Sequence, residues 1–177
     1  MKVLVIHPED PSTDFLSRIY DGKDWTVIRG IGPKFGISKS LLRWMMSNSD
    51  LIIMMGHGCD KGLYDSSFNL IIGSDLVYLL REKTTIGIWC NADEFYKKYG
   101  MRGLCTGMII SEYVEANLYC VDANYDEIEN SNVDFSRAFS ENLNLLDLEG
   151  SVFNIQESYE IKNAVTRFNN EKIYYFE

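Results

Sequence analysis

The sequence predicts an α/β protein: a three-layer α/β/α sandwich around a mostly parallel sheet, built as a single domain over residues 1–177. Two observations predict it. Apolar runs without polar alternation, at residues 2–6, 51–55 and 84–89, read as strands buried on both faces, as in parallel sheets. Between them lie stretches with apolar residues at helical spacing, so strand and helix alternate along the chain. At 177 residues the chain is long enough to bury a substantial core.

Taken in order, residues 2–6 form the first strand, which His7-Pro8 ends. Ser12 or Thr13 then caps a helix with Phe15, Leu16, Ile19 and Tyr20 on one face, closed by Asp21-Gly22. Residues 25–28 form a second strand, and Gly30-Ile31-Gly32-Pro33 a loop. From Ser38 to about Ser47 a helix carries Ile37, Leu41, Leu42, Met45 and Met46 at helical spacing. The strand at 51–55 then runs into Gly56-His57-Gly58. Residues 59–73, punctuated by Gly62 and Gly73, predict a small hairpin over the sheet end. Ser74-Asp75 opens a helix burying Leu76, Val77, Leu79 and Leu80. After the strand at 84–89, Asn91 caps a helix with Asp93 and Glu94 in its first turn, and Gly100 ends it. Residues 106–111 read as a fifth strand, 112–119 as a helix and 120–122 as a short edge strand. One helical face follows over 125–146, with Phe135, Ala138, Phe139, Leu143 and Leu146. Ile161, Ala164, Val165 and Phe168 mark a last helix, and residues 173–176 a terminal strand.

Charge and composition exclude several classes of function. Twenty-six acidic residues against 17 basic ones give a net charge of -9, the wrong sign for a partner made of phosphate backbone. No apolar run approaches the roughly 20 residues needed to cross a bilayer, and His7-Pro8-Glu9-Asp10 interrupts the first run too early for a signal peptide. No nucleic-acid or membrane partner is expected, and the expected location is cytoplasmic. The four cysteines, Cys59, Cys90, Cys105 and Cys120, form no CxxC pair, so reduced thiols fit better than zinc or disulfides. The Gly30–Pro33 loop follows the second strand, lacks the third glycine of GxGxxG and loses an N–H to proline, so it is no dinucleotide loop.

The residues that carry chemistry stand at two strand ends. In open parallel sheets, ligands bind beyond the carboxyl ends of the strands. His57 ends one such run, between two glycines, and Cys90 ends another. Brought together, they place an imidazole beside a thiol. The nucleophile is the thiolate, and both the N-terminus of the helix after Cys90 and a nearby imidazole would favour it. The N–H groups of Gly58 and Cys90 are candidates to hold an oxyanion.

This pattern resembles the caspase-like cysteine peptidases, a group that includes caspases, legumains, gingipains and clostripain. The shared features are an apolar strand ending in His-Gly and a later apolar strand ending in the nucleophilic Cys, here 33 residues apart. The resemblance covers roughly residues 1–120. It implies a caspase-like fold and a cysteine peptidase acting on a peptide or protein substrate, without metal or organic cofactor. Catalytic roles fall to His57, Cys90 and Gly58, and P1-pocket positions to Ser111 and Glu112. A buried Glu112 would suit a basic P1 side chain; a solvated one would suit nothing in particular. Trp89 departs from the family, many members of which carry an acidic residue or alanine before the Cys.

Two further readings are weighed against this one. His57, Cys59 and Cys90 as zinc ligands are too few for a closed structural site. A catalytically inactive doubly wound domain, binding a small ligand or protein partner at the same sheet edge, is the competing function.

Overall fold

A computed structural model describes residues 1–177, the side chain of Pro33 excepted. Its centre is a six-stranded sheet. The first strands are β1 (Val3–Ile6), β2 (Thr26–Ile28) and β3 (Leu51–Met55). A small separate sheet follows: β4 (Gly58–Cys59), β5 (Gly62–Tyr64) and β6 (Leu70–Ile72). The central sheet is completed by β7 (Thr84–Ile88), β8 (Arg102–Thr106) and β9 (Ile173–Phe176). Strand order is β2-β1-β3-β7-β8-β9, parallel throughout except for β9, which runs antiparallel along β8.

Side-chain alternation divides β3 between two cores. Ile52 and Met54 face one side with Leu42, Met46, Leu80 and Phe95. Leu51, Ile53 and Met55 face the other with Leu16, Ile19, Phe135, Phe139 and Ile155. Helices supply both covers. On the first side lie α1 (Lys39–Ser47), α2 (Val77–Leu80) and α3 (Ala92–Tyr99). On the second lie a 3₁₀ segment (Pro11–Ile19), α5 (Tyr125–Asn142) and α6 (Leu148–Ser158). Between β8 and α5 comes α4 (Tyr113–Leu118), and α7 (Ala164–Asn170) precedes β9; α5 and α7 close a third, smaller core around Ile110 and Val165. A strand buried on both faces has no room for polar alternation, which is why its sequence reads as an unbroken apolar run. Among the described residues no helix is long and apolar enough to cross a membrane.

Four expectations need correction. The helix after β1 is a 3₁₀ segment, and Asp10 caps it, accepting the Ser12 N–H; Ser12 and Thr13 lie inside it. The fifth strand is Arg102–Thr106 rather than residues 106–111. Gly103 disguised it, yet that glycine is required: its φ is +127° and a Cβ there would stand 1.9 Å from the Thr85 carbonyl oxygen. Residues 107–111 leave the sheet, and the Asn169 side chain takes over the backbone bonding of Ile110, accepting from its N–H (2.8 Å) and donating to its C=O (2.9 Å). No edge strand forms at 120–122, where Cys120 turns the chain at φ 54°. Finally, the long helix stops at Asn142, and a new one begins at Leu148 behind the cap Asp147. Gly150 and the polar residues of α6 hid it from a search for helical periodicity.

Candidate functional site

Strands β3 and β7 are neighbours in register, with Met55 opposite Ile88 and the Gly56 N–H donating to the Ile88 carbonyl at 3.0 Å. The chain therefore leaves both strands at the same edge. There a narrow cleft is lined by His57, Cys90, Ser111, Thr13, Ile109 and Phe135, among others. The topology reverses beside it. The chain leaves β1 through the 3₁₀ segment on one face of the sheet and leaves β3 through the hairpin sheet on the other. Connections that diverge in this way open a crevice at the carboxyl ends of the strands.

Both groups beside Nε2 of half-buried His57 come from the start of the 3₁₀ segment after β1. Ser12 Oγ lies 2.6 Å from Nε2, and Asp10 Oδ1 lies 3.7 Å from the same nitrogen. The Ser12 hydroxyl is also 2.8 Å from Asp10 Oδ1, to which the Ser12 N–H donates at 3.0 Å. Partial burial pushes the Asp10 carboxyl up, but the two Ser12 bonds and the nearby imidazoles outweigh it and hold it below the ordinary carboxylate value. The sequence reading missed both residues. The available signal was Asp10-Pro11-Ser12, a helix-capping pattern placed directly after a strand.

Half-buried Cys90 occupies a tight turn between β7 and α3. The turn is completed by Asn91 in the left-handed region at φ 64°, and Thr106 steadies it by donating to the Trp89 carbonyl at 3.0 Å. The thiol faces acceptors: the Ile109 carbonyl at 3.5 Å and Glu115 Oε1 at 3.8 Å. Burial, and after it the Glu115 carboxylate, push the thiol up to about 12. The thiolate expected from the helix end and the imidazole is therefore not favoured in this arrangement. Among the described residues no hydrogen bond joins His57 to Cys90, although both line one cleft. Glu115 is itself fixed, since its Oε2 accepts from the Ser111 and Glu112 N–H groups at 2.7 and 3.0 Å as part of the α4 capping box.

The other sequence candidates fall as follows. Gly58 lies in β4 against the Trp89 indole, where a Cβ would come within 2.1 Å of Trp89 Cδ1. Trp89 is itself core, with its Nε1–H donating to the Cys59 carbonyl at 3.1 Å, so it supports the hairpin sheet. Ser111 lines the cleft, while Glu112 is exposed as the cap of α4 and does not line it. The carboxylate beside the sulfur is that of Glu115, four residues after Ser111. His7 is fully buried and bonded to Arg29 and Tyr20, behind the cleft wall. Cys59 Sγ is 3.3 Å from the Tyr64 hydroxyl. Among the described residues no three His, Cys, Asp or Glu side chains gather as a metal site would require.

No family model matches this chain, and no curated protein matches it.

Proposed function

We propose that the chain is a cysteine endopeptidase with a caspase-like fold, hydrolysing peptide bonds with the dyad His57 and Cys90. In this reading the Cys90 sulfur attacks the peptide carbonyl and its proton passes to His57. The N–H groups of Gly58 and Cys90 face the oxyanion. His57 then delivers the proton to the departing amine, and water hydrolyses the thioester. The reading needs no metal or organic cofactor. Ser111 meets the P1 side chain, and the Glu115 carboxylate beside it supports a basic residue there; exposed Glu112 does not select it.

One observation carries the proposal: an imidazole and a thiol on adjacent parallel strands open into the same cleft at the carboxyl edge of the sheet. A second reading, an inactive domain binding a small ligand or protein partner at this edge, is favoured by the raised thiol and by Glu115 beside it.

Labelling with peptidyl acyloxymethyl ketones carrying Arg, Lys or Asp separates the two. The peptidase reading expects mass-mapped modification confined to Cys90 and abolished by His57→Ala. Slow labelling that follows exposure, greatest at Cys120 and least at buried Cys105, with no preference for Cys90, would establish the binding module instead.

A further inference from the structure

The loop after β1 crosses to His57 with more than a helix cap requires. Capping of the 3₁₀ segment needs only Asp10 Oδ1 and the Ser12 N–H. The Ser12 hydroxyl is additional, and it sits between Asp10 Oδ1 at 2.8 Å and His57 Nε2 at 2.6 Å. A hydroxyl has one proton to give.

We infer that Asp10 and Ser12 are positioning residues for His57, fixing its neutral ring in the tautomer protonated at Nε2 and leaving Nδ1 as the basic nitrogen open to the cleft. The inference rests on the reading of His57 as the proton-transferring group. Its logic follows from the donor count. A carboxylate takes a hydroxyl proton in preference to a neutral imidazole, because the bond to the charged acceptor is about twice as strong. Once Ser12 donates to Asp10, its oxygen can only accept at 2.6 Å, and the donor must be His57 Nε2–H.

Nδ1 is then the lone-pair nitrogen. It has no hydrogen-bond partner among the described residues, and no buried side-chain nitrogen or oxygen there lacks one, so Nδ1 is in contact with solvent, on a residue that lines the cleft. A proton leaving the Cys90 sulfur is taken up at Nδ1, yielding thiolate and imidazolium. The imidazolium keeps its Nε2–H on Ser12, with the Asp10 carboxylate 3.7 Å away to stabilise the new charge. When Nδ1 releases that proton to the leaving amine, the relay returns to its starting pattern without rearrangement.

The chain has two histidines, so the ring nitrogens of His57 are assigned by subtraction of the His57→Gln spectrum. Long-range ¹H–¹⁵N correlation at about pH 8 reads the tautomer directly and does not depend on catalysis. The expected wild-type spectrum is the Nε2–H form. Ser12→Ala, which keeps the Asp10 cap, lowers the ratio of Nε2–H to Nδ1–H about tenfold, the loss of one hydrogen bond in a charged network. Asp10→Asn moves it the same way, and Ser12→Thr, with its hydroxyl retained, restores it. An Nδ1–H wild type, or a ratio unmoved in Ser12→Ala, overturns the inference. Labelling of Cys90 in the same variants separates this from the proposed activity. Labelling slowed about tenfold by Ser12→Ala and restored by Ser12→Thr supports both. A fixed Nε2–H tautomer beside an unreactive Cys90 refutes the peptidase and leaves the positioning role standing.

Discussion

Acidification from about pH 7 to about pH 4 forces a proton onto a histidine that the fold holds neutral. His7 is 0% exposed, and its Nδ1 accepts from Arg29 Nη1 at 2.7 Å, so a proton there would meet a guanidinium. Burial first, and Arg29 second, lower its pKa from 6.5 to about 4, against smaller opposing effects of Asp14, Thr13 and Asp10. The sign follows from proton counts. Between pH 6.5 and 4 the unfolded chain binds a proton that the folded one refuses, so stability falls with falling pH in that window. Above it His7 contributes no pH dependence, and below it the loss levels off. Lowering the pKa from 6.5 to about 4, at about 1.36 kcal/mol per pH unit, amounts to about 3 kcal/mol. That is a large share of the ~5–15 kcal/mol typical of a domain. Asp10 stays out of this window. Its carboxyl lies below 3.8, so the stability it contributes is lost only as the pH falls further. The assay is urea unfolding at a series of pH values for wild type and His7→Gln, whose amide can replace the hydrogen bonds but does not titrate. The variant is expected to lose about 3 kcal/mol less than wild type between pH 7 and 4. Parallel curves would refute the reasoning.

Further outcomes are expected at the cleft. Glu115→Gln keeps an acceptor for the α4 cap but removes the charge beside Cys90, so the thiol pKa falls and alkylation by iodoacetamide at about pH 8 speeds several-fold. Burial, the larger cause, still keeps that thiol slower than an exposed one. Asn169→Ala strands the buried N–H and C=O of Ile110, costing about 2–5 kcal/mol in urea unfolding from two unsatisfied groups. Gly58→Ala drives a methyl into the Trp89 ring and the Gly62 carbonyl, lowering stability by about 1–3 kcal/mol and shifting the melting temperature accordingly.

The elements legible in the sequence are those whose signal is local. Residues 51–55 and 84–89 announce strands because burial on both faces leaves only apolar choices, and Ser38 announces α1 because its hydroxyl accepts the Leu41 N–H at 3.1 Å within its own turn. The miscalled stretches take their conformation from distant partners. Met108-Ile109-Ile110 has the composition of a strand, yet its backbone is satisfied by an amide from 59 residues away. Arg102-Gly103 looks like a strand breaker, yet only glycine fits so close to Thr85.

The candidate site divides in the same way. His57 and Cys90 were readable as strand ends, and the open question, whether their strands adjoin, was answered by sheet order alone. Asp10, Ser12 and Glu115 carry no motif that points to His57 or Cys90, because the contacts span 45 residues in one case and 25 in the other. By itself, then, the amino-acid order determined which segments become strands and which residue types stand at their ends, since hydrophobic periodicity acts over a few residues. Only the tertiary structure decided what each of those ends meets. It set a serine and a carboxylate against the imidazole and a second carboxylate against the thiol, because packing joins groups across distances along the chain that no local pattern encodes.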